Sequence, residues 1–469
     1  MKLLLQSIFL ALFLTTQVSH AQIGINGSAH PSAALDVKSP GNDKAFYPPR
    51  LTSAQRKAIA NPQAGAFVYD TDKGAMYLYD GQNWLPLVTT TSNLASPASR
   101  TASDGGGYDY FGSSVAISGD YAVVGAPTKS MESNVIVGAA YVFVRSGNGW
   151  NEQQKLMASD WAEYNRFGQS VAVSDNYIIV GASGKAINGI TQGAVYVFTR
   201  SGSTWSQQQR LLASDGAGAN EFGRSVSLSG DYLLVGAPGK NVGNNSAQGA
   251  AYVFLRSGTT WTEQQRLVAI DGAASDYFGS SLAIDGTTTA IGAYNKTVNS
   301  NSSQGAAYVF TRSGNVWSQQ QKLLSSDGAS TDYFGGSVAL SGDYIVVGAY
   351  GKTFGSNYYQ GAVYGFNRSG SVWSQQQQFK ASDGAMSDYF GTSVTISGNY
   401  IMIGAPGKAV GSNTGQGAAY FFKVSYEQFR VTDLSAANTR YGHAVGLSNG
   451  TYIIGSNFGV GKVFFGTVD

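Results

Sequence analysis

From residue 99 onward the chain reads as short apolar runs broken by clusters of Gly, Asp, Asn and Ser. One stretch shows the pattern. Ser170-Val171-Ala172-Val173-Ser174 alternates small polar and apolar residues, and Asp175-Asn176 is a turn. Tyr177 to Val180 is a continuous apolar run closing on Gly181-Ala182. A Gly/Asn/Ser-rich loop leads to Ala194-Val195-Tyr196-Val197-Phe198, the turn Arg200-Ser201-Gly202-Ser203 follows, and Trp205 opens a Gln-rich strand to Leu211-Leu212. Alternation, short length and turn punctuation predict four antiparallel strands, with no helical period.

The stretch recurs. An aromatic-Gly pair stands at Phe111, Phe167, Phe222, Phe278, Phe334, Phe390 and Tyr441, at steps of 56, 55, 56, 56, 56 and 51 residues. Fourteen residues after each aromatic comes another glycine: Gly125, Gly181, Gly236, Gly292, Gly348, Gly404 and Gly455. Seven units of four strands predict an all-β, seven-bladed β-propeller over residues 99–469. The last unit has only three strand signals, ending at Lys462 to Gly466. Its missing outer strand is expected at Ser99 to Ser103, so that an N-terminal segment closes the ring.

These motifs, Phe334-Gly335 with Gly348-Ala349 and Phe390-Gly391 with Gly404-Ala405-Pro406 among them, resemble the FG-GAP repeat of integrin α-chains and of many secreted bacterial proteins. The resemblance implies a propeller used for adhesion or ligand binding rather than catalysis. Integrin-type repeats often carry an acidic calcium loop between the first and second strands. Here that connection is a tight turn such as Ser118-Gly119-Asp120-Tyr121. One carboxylate does not supply the about six to eight oxygens that calcium takes. No calcium, other metal or cofactor is expected.

Before the repeats, residues 1–21 read as a signal peptide: Met1-Lys2, an apolar run from Leu3 to Val18, and Ser19-His20-Ala21 before the cleavage point. Residues 22–88 form a small N-terminal module, with a short helix within Thr52 to Ala60 and strands between Ala66 and Leu87. Its motifs, Pro48-Pro49-Arg50-Leu51-Thr52-Ser53 and Tyr79-Asp80-Gly81-Gln82-Asn83-Trp84, resemble a leader module of secreted Bacteroidetes proteins and of phage tail-fibre-like proteins. Residues 89–98, rich in Thr, Ser and Ala, read as a linker. No other apolar run reaches the ~18 residues of a membrane span. The mature protein is expected to be secreted or held at the cell surface, without a membrane span, and able to oligomerise through this module.

Composition narrows the functions. Lys plus Arg is 30 against 28 Asp plus Glu, a net charge of +2, so no field for nucleic acid is present. The chain has no cysteine and three histidines, which excludes disulfides, thiolate sites and Cys nucleophiles. Neither a GxSxG elbow nor HExxH occurs. His443 stands where other units have Ser113, Gln169 and Arg224, and is read as a variant rather than a base.

Strand alternation puts the loop between strands two and three (the long loop) and the loop joining successive blades (the inter-blade loop) at one end of the ring. Long loops carry Lys129, Lys185, Lys240, Lys296, Lys352 and Lys408; inter-blade loops carry a recurring Asp seven residues before the aromatic, Asp104 and Asp160 for example. Either these are a surface pair closing the turn, or they form a polyvalent site for an anionic glycan or a protein. Residues that break the repeat are the sharper ligand-binding candidates: Trp161, Glu163, Tyr164 and Arg166 in the loop before Phe167, and Glu221 and Arg224 around Phe222. The leading reading is a non-catalytic module binding a protein or a surface glycan. The alternatives are a hydrolase of polysaccharide or lipid headgroup (a glycoside or phosphodiester bond), with Glu163 and Glu221 as its acids, and a purely structural surface component.

Overall fold

The computed structural model describes residues 48–63, 65–72, 75–79, 84–87 and 97–468, except 132–134, 148, 175, 424–427 and 432–437, together with the short strands Ile23–Ile25 and Leu35–Val37. The signal sequence with its cleavage point after Ala21, most of the linker and Asp433, the seventh unit's counterpart of the recurring Asp at eight residues before Tyr441, lie outside the described residues. The chain divides into two compact units, Met1–Thr91 and Ser92–Asp469.

In the larger unit, seven four-stranded antiparallel sheets follow one another, each with its strands in chain order apart from the last. The second sheet is Phe167–Ser174, Tyr177–Ala182, Ala194–Ser201 and Thr204–Leu211. First strands of neighbouring sheets pack on each other through the whole series, and Tyr441–Ser448 of the seventh packs on Ser114–Ser118 of the first. They therefore face the centre of a ring, with fourth strands outside. The seventh sheet takes its fourth strand from Ala98–Arg100, which pairs antiparallel with Lys462–Thr467 (Val463 opposite Arg100, Phe465 opposite Ala98). Trp150 stacks on Phe465 at 4.6 Å, which ties this junction to the first blade.

No blade buries itself. Each core lies between neighbours: Val123 and Val142 of blade one pack with Phe167, Ile178, Val180, Tyr196 and Trp205 of blade two. This is the energetic logic of repeat folds, where the interface between units supplies the apolar burial that one sheet lacks. The repeated glycines belong to that interface. A Cβ on Gly348 would lie 2.2 Å from the carbonyl oxygen of Gly391 in the next blade, and one on Gly391, whose φ is +91°, would lie 2.7 Å from the oxygen of Ala362. Around the seam, Gly455 meets Gly112 in the same way, at 2.1 Å. The constant offset of fourteen residues thus sets two glycines where adjacent backbones touch.

The Gln-rich outer strands do more than make an edge polar, which is all their sequence suggests. Gln154 accepts from the Trp205 amide and donates to the Trp205 carbonyl, both at 2.8 Å. Gln209, Gln265 and Gln321 repeat this on Trp261, Trp317 and Trp373. A side-chain amide here takes the place of a neighbouring strand.

In the smaller unit, Phe67–Asp70, Ala75–Tyr79 and Trp84–Leu87 are antiparallel, and Arg50–Leu51 joins Phe67–Asp70 in parallel. The helix is Ser53–Lys57, shorter than the sequence suggests, with Thr52 as its cap: Thr52 Oγ1 accepts from the Gln55 amide and Gln55 Oε1 from the Thr52 amide. Arg56 is buried, with Nε 2.9 Å from Asp70 and its guanidinium 3.7 Å over the Tyr77 ring.

Candidate ligand-binding face

The six long-loop lysines correct one expectation. They are not on the surface: each is 5–7% exposed. Every ammonium group donates to the backbone carbonyl of the recurring Asp at the start of its own blade: Asp104, Asp160, Asp215, Asp271, Asp327 and Asp383. In four blades it also meets a second buried carboxylate, of Asp109, Asp276, Asp332 or Asp388, at 2.9–3.0 Å. The physical cause is reach. The long loop folds over the inter-blade loop, and the lysine stem crosses beneath it to that loop's backbone oxygens.

The recurring Asp is the other half of this strut. Asp160 accepts from the Tyr196 hydroxyl at 2.7 Å and pairs with Lys185 and Arg210; Asp327 accepts from Tyr364 at 2.6 Å and from Gln378 at 3.0 Å. Partial burial works against ionisation of Asp160, but the hydrogen bonds of Tyr196, Lys185 and Arg210 outweigh it and hold the carboxyl below its ordinary value. At Asp332 and Asp388 burial wins and pushes the carboxyl up, despite the backbone and lysine donors. The lysines and the inner acids are internal masonry between strands, while the recurring Asp carboxylates reach partly to the surface with their charge paired.

What the face displays is the set that breaks the repeat. Tyr164, Arg166 and Glu221 sit on left-handed backbone, at φ of 60°, 55° and 54°. The residue just before each aromatic has φ of 52–55° in all seven blades, and it is Tyr110, Arg166, Glu221, Tyr277, Tyr333, Tyr389 or Arg440. Glycine or asparagine would meet this geometry at least cost. A large side chain held there in every blade points to a use for the side chain.

Glu163, Tyr164, Arg166 and Glu221 converge. They line one cleft of about 530 Å³ together with Ser183, Gly184, Ala186, Thr191 and Ala219. Its walls are the inter-blade loops before blades two and three and the long loop of blade two, fixed by backbone bonds from Tyr164 to Ile136 and from Ala219 to Thr191, each 2.7 Å. The Glu163 carboxylate, hydrogen-bonded to the Tyr164 hydroxyl, pushes that hydroxyl above its ordinary value. Two carboxylates, one guanidinium and a phenol suit a ligand that offers both donors and acceptors. Trp161, 48% exposed, and Arg224, also exposed, stand outside the cleft. Arg224 lies instead toward Tyr294 and His443. Burial first, then Arg440 and Arg224, push His443 down to about 4, so its imidazole is neutral at neutral pH.

The other large exposed side chains follow the same geography. In the ring, among the described residues, all the exposed large hydrophobics except Val316 and Val372 belong to inter-blade or long loops, Tyr108, Ile190, Ile270, Tyr358 and Phe458 among them. Sequence reasoning missed the tyrosines before the aromatics, Tyr277, Tyr333 and Tyr389, and the pair Tyr294 and Tyr350 after the second glycine. Their signal lay in the columns of the repeat: all seven residues before the aromatics are Tyr, Arg or Glu.

No helix among the described residues is long and apolar enough to cross a membrane, and no group of three metal-ligating side chains occurs among them. A search of curated proteins finds no match. A family model for a phage tail like trimerisation region matches residues 22–101. The model of the FG-GAP repeat matches residues 98–143, 150–198, 205–254, 261–310, 317–366 and 373–422. These six copies cover more than half of the chain, which therefore belongs to the FG-GAP repeat family of β-propeller binding modules.

Proposed function

We propose that the protein is an exported, non-catalytic adhesion module that binds a protein or a surface glycan through the loop end of its propeller. The observation that carries this reading is the one-ended distribution of exposed aromatic and apolar side chains, with a cleft of mixed charge among them. Large aromatics and arginine are the usual anchors of an interface. The match to a trimerisation region supports display of three propellers together, so that weak single contacts add through avidity. The test is binding of the purified full chain to intact bacterial cells and to a glycan array, for the natural protein and for Arg166→Ala and Tyr164→Ala. Unchanged binding by both folded variants would remove the cleft from the account.

A second reading has one supporting observation: Glu163 and Glu221 share the cleft. Two carboxylates across a cleft are the minimum for glycoside hydrolysis. Turnover of a polysaccharide that disappears in both Glu163→Gln and Glu221→Gln would replace the adhesion reading with this one.

A further inference from the structure

We propose that six tyrosines on blades four to six, Tyr277, Tyr294, Tyr333, Tyr350, Tyr359 and Tyr389, form a rail that binds an uncharged oligosaccharide. The proposal rests on the loop end being a binding face, but it concerns blades four to six, which meet the cleft only where Glu221 acts on Tyr294. Four of the rings run in sequence and the other two form a pair. Tyr277 stacks on Tyr294 with centroids 5.5 Å apart and planes 8° apart; Tyr294 meets Tyr333 at 6.1 Å; Tyr333 stacks on Tyr350 at 5.0 Å and 14°; Tyr359 meets Tyr389 at 5.8 Å. A glycine makes room for them: a Cβ on Gly336 would strike the Tyr350 ring at 2.5 Å. Other blades have Ser113, Gln169, Arg224, Ser280, Thr392 and His443 where blade five has Gly336.

The chemistry selects the ligand. Tyr141, Tyr196, Tyr252, Tyr308, Tyr364 and Tyr420, which are interior, all give their hydroxyls to the recurring Asp residues. None of the six rail hydroxyls has a partner in the protein, and none is sealed from solvent. Each is a free donor and acceptor on a half-buried or exposed ring. Burial and neighbouring tyrosines push Tyr294 and Tyr350 upward, so they stay protonated in any ordinary buffer. The charged groups near Tyr350 are absent: its electrostatic neighbours are Tyr294, Tyr333 and Tyr359. Lys296, Lys352 and Lys408 of these blades are spent internally. Arg224 and Glu221 reach only the Tyr294 end of the rail; along the stretch around Tyr350 a charged ligand finds no counter-charge. Apolar ring surface with uncharged hydroxyls matches the C–H faces and hydroxyls of a neutral sugar chain.

The test is calorimetric titration of the full-length protein with cellohexaose, maltohexaose and mannohexaose, and with hexagalacturonate as the charged comparator. At least one neutral hexasaccharide is expected to bind, and hexagalacturonate to bind more weakly. Combining Tyr333→Ala with Tyr350→Ala should weaken binding by about tenfold or more. Tyr350→Phe, which keeps the ring and so the fold, should weaken it about threefold. No binding by any neutral hexasaccharide, preference for the uronate, or unchanged affinity in the folded variants would overturn the proposal. Arg166→Ala separates the two sites: it should leave the hexasaccharide affinity unaltered, so failure of the cleft reading leaves the rail standing and the reverse.

Discussion

Blades two and five share an interior and differ at the loop end. Gly181 touches Gly223 as Gly348 touches Gly391. Asp160 holds Tyr196 as Asp327 holds Tyr364, and Trp205 and Trp373 are each 2% exposed. Above this level the blades part. Blade two has Arg166, Ser183 and Asn165 where blade five has Tyr333, Tyr350 and Asp332. What recurs is what joins one blade to the next, and what varies is what meets solvent. A buried repeated residue in this fold is therefore weak grounds for a binding role, and a broken repeat or a large side chain that recurs at the surface is better grounds.

The largest effects should come from the shared interior. Gly348→Ala sets a methyl group 2.2 Å from a backbone oxygen of the next blade. A cost of about 4 kcal/mol or more is expected, because backbone on both sides resists the shift. Gly342→Ala is the control. Unlike Gly348 it has positive φ, +55°, but nothing lies within 4 Å, and the strain alone should cost about 1 kcal/mol. Urea unfolding of the two variants measures the difference; equal costs would mean the glycine contact is not what fixes blade spacing. Removing the closing strand, in a chain that begins at Gly105, belongs to the same class. It strips the pairing of Ala98–Arg100 from the seventh sheet and should lower the melting temperature markedly.

Next comes a contrast between the blades themselves. Lys352→Met leaves the buried Asp332 carboxylate without its cation and should cost about 3 kcal/mol. Lys185→Met should cost clearly less, about 1–2 kcal/mol. Blade two has Asn165 in place of the inner Asp, and the remaining partner, Asp160, has about a third of its side chain exposed. Similar losses in the two blades would show that the inner carboxylate carries little of the strut.

Acid should separate the struts further. Asp104, Asp160, Asp215, Asp271 and Asp327 are held below their ordinary value of 3.8 when folded. A depressed carboxyl gives stability that is whole above the unfolded value and lost as pH falls through the folded one. The melting temperature should thus drop as pH is taken below about 3.8. Asp332 and Asp388, held high, act with the opposite sign: their contribution is whole below 3.8 and fades as pH rises through the folded value. Asp160→Asn should flatten the acid fall, and Asp332→Asn should steepen it. Thermal melts from pH 2.5 to 6 read both slopes.

The ring, its strands and the strand that closes it were legible in sequence because they depend on spacing. A glycine beside each aromatic with a second one fourteen residues after that aromatic, and alternation within strands, are local facts that survive without coordinates. The lysines were misread for a reason of the same kind. Spacing placed them at the correct end of the blade, but only the folded loop tells that Lys352 runs inward to Asp327 and Asp332. The cleft was half legible. Glu163, Tyr164, Arg166 and Glu221 stood out as departures from the repeat, and the structure brings them together. The tyrosine rail was not, since Tyr277, Tyr333 and Tyr389 recur often enough to pass for part of the repeat. Their left-handed backbone and unbonded hydroxyls exist only in three dimensions.

The smallest expected effect on stability carries the sharpest functional contrast. Arg166 and Tyr333 occupy equivalent positions, both at φ of 55°. Replacing either with glycine relieves a left-handed residue and adds freedom to the unfolded chain, and the two terms roughly offset. Each variant should unfold within about 1 kcal/mol of the natural protein. Binding should divide them. Arg166→Gly should diminish attachment to cells and spare the neutral hexasaccharides, and Tyr333→Gly should weaken the hexasaccharides about fivefold. Parallel titrations and cell-binding assays on the two folded variants read this contrast directly. Loss of the same ligand from both would merge cleft and rail into one site, with the ring opening at its centre.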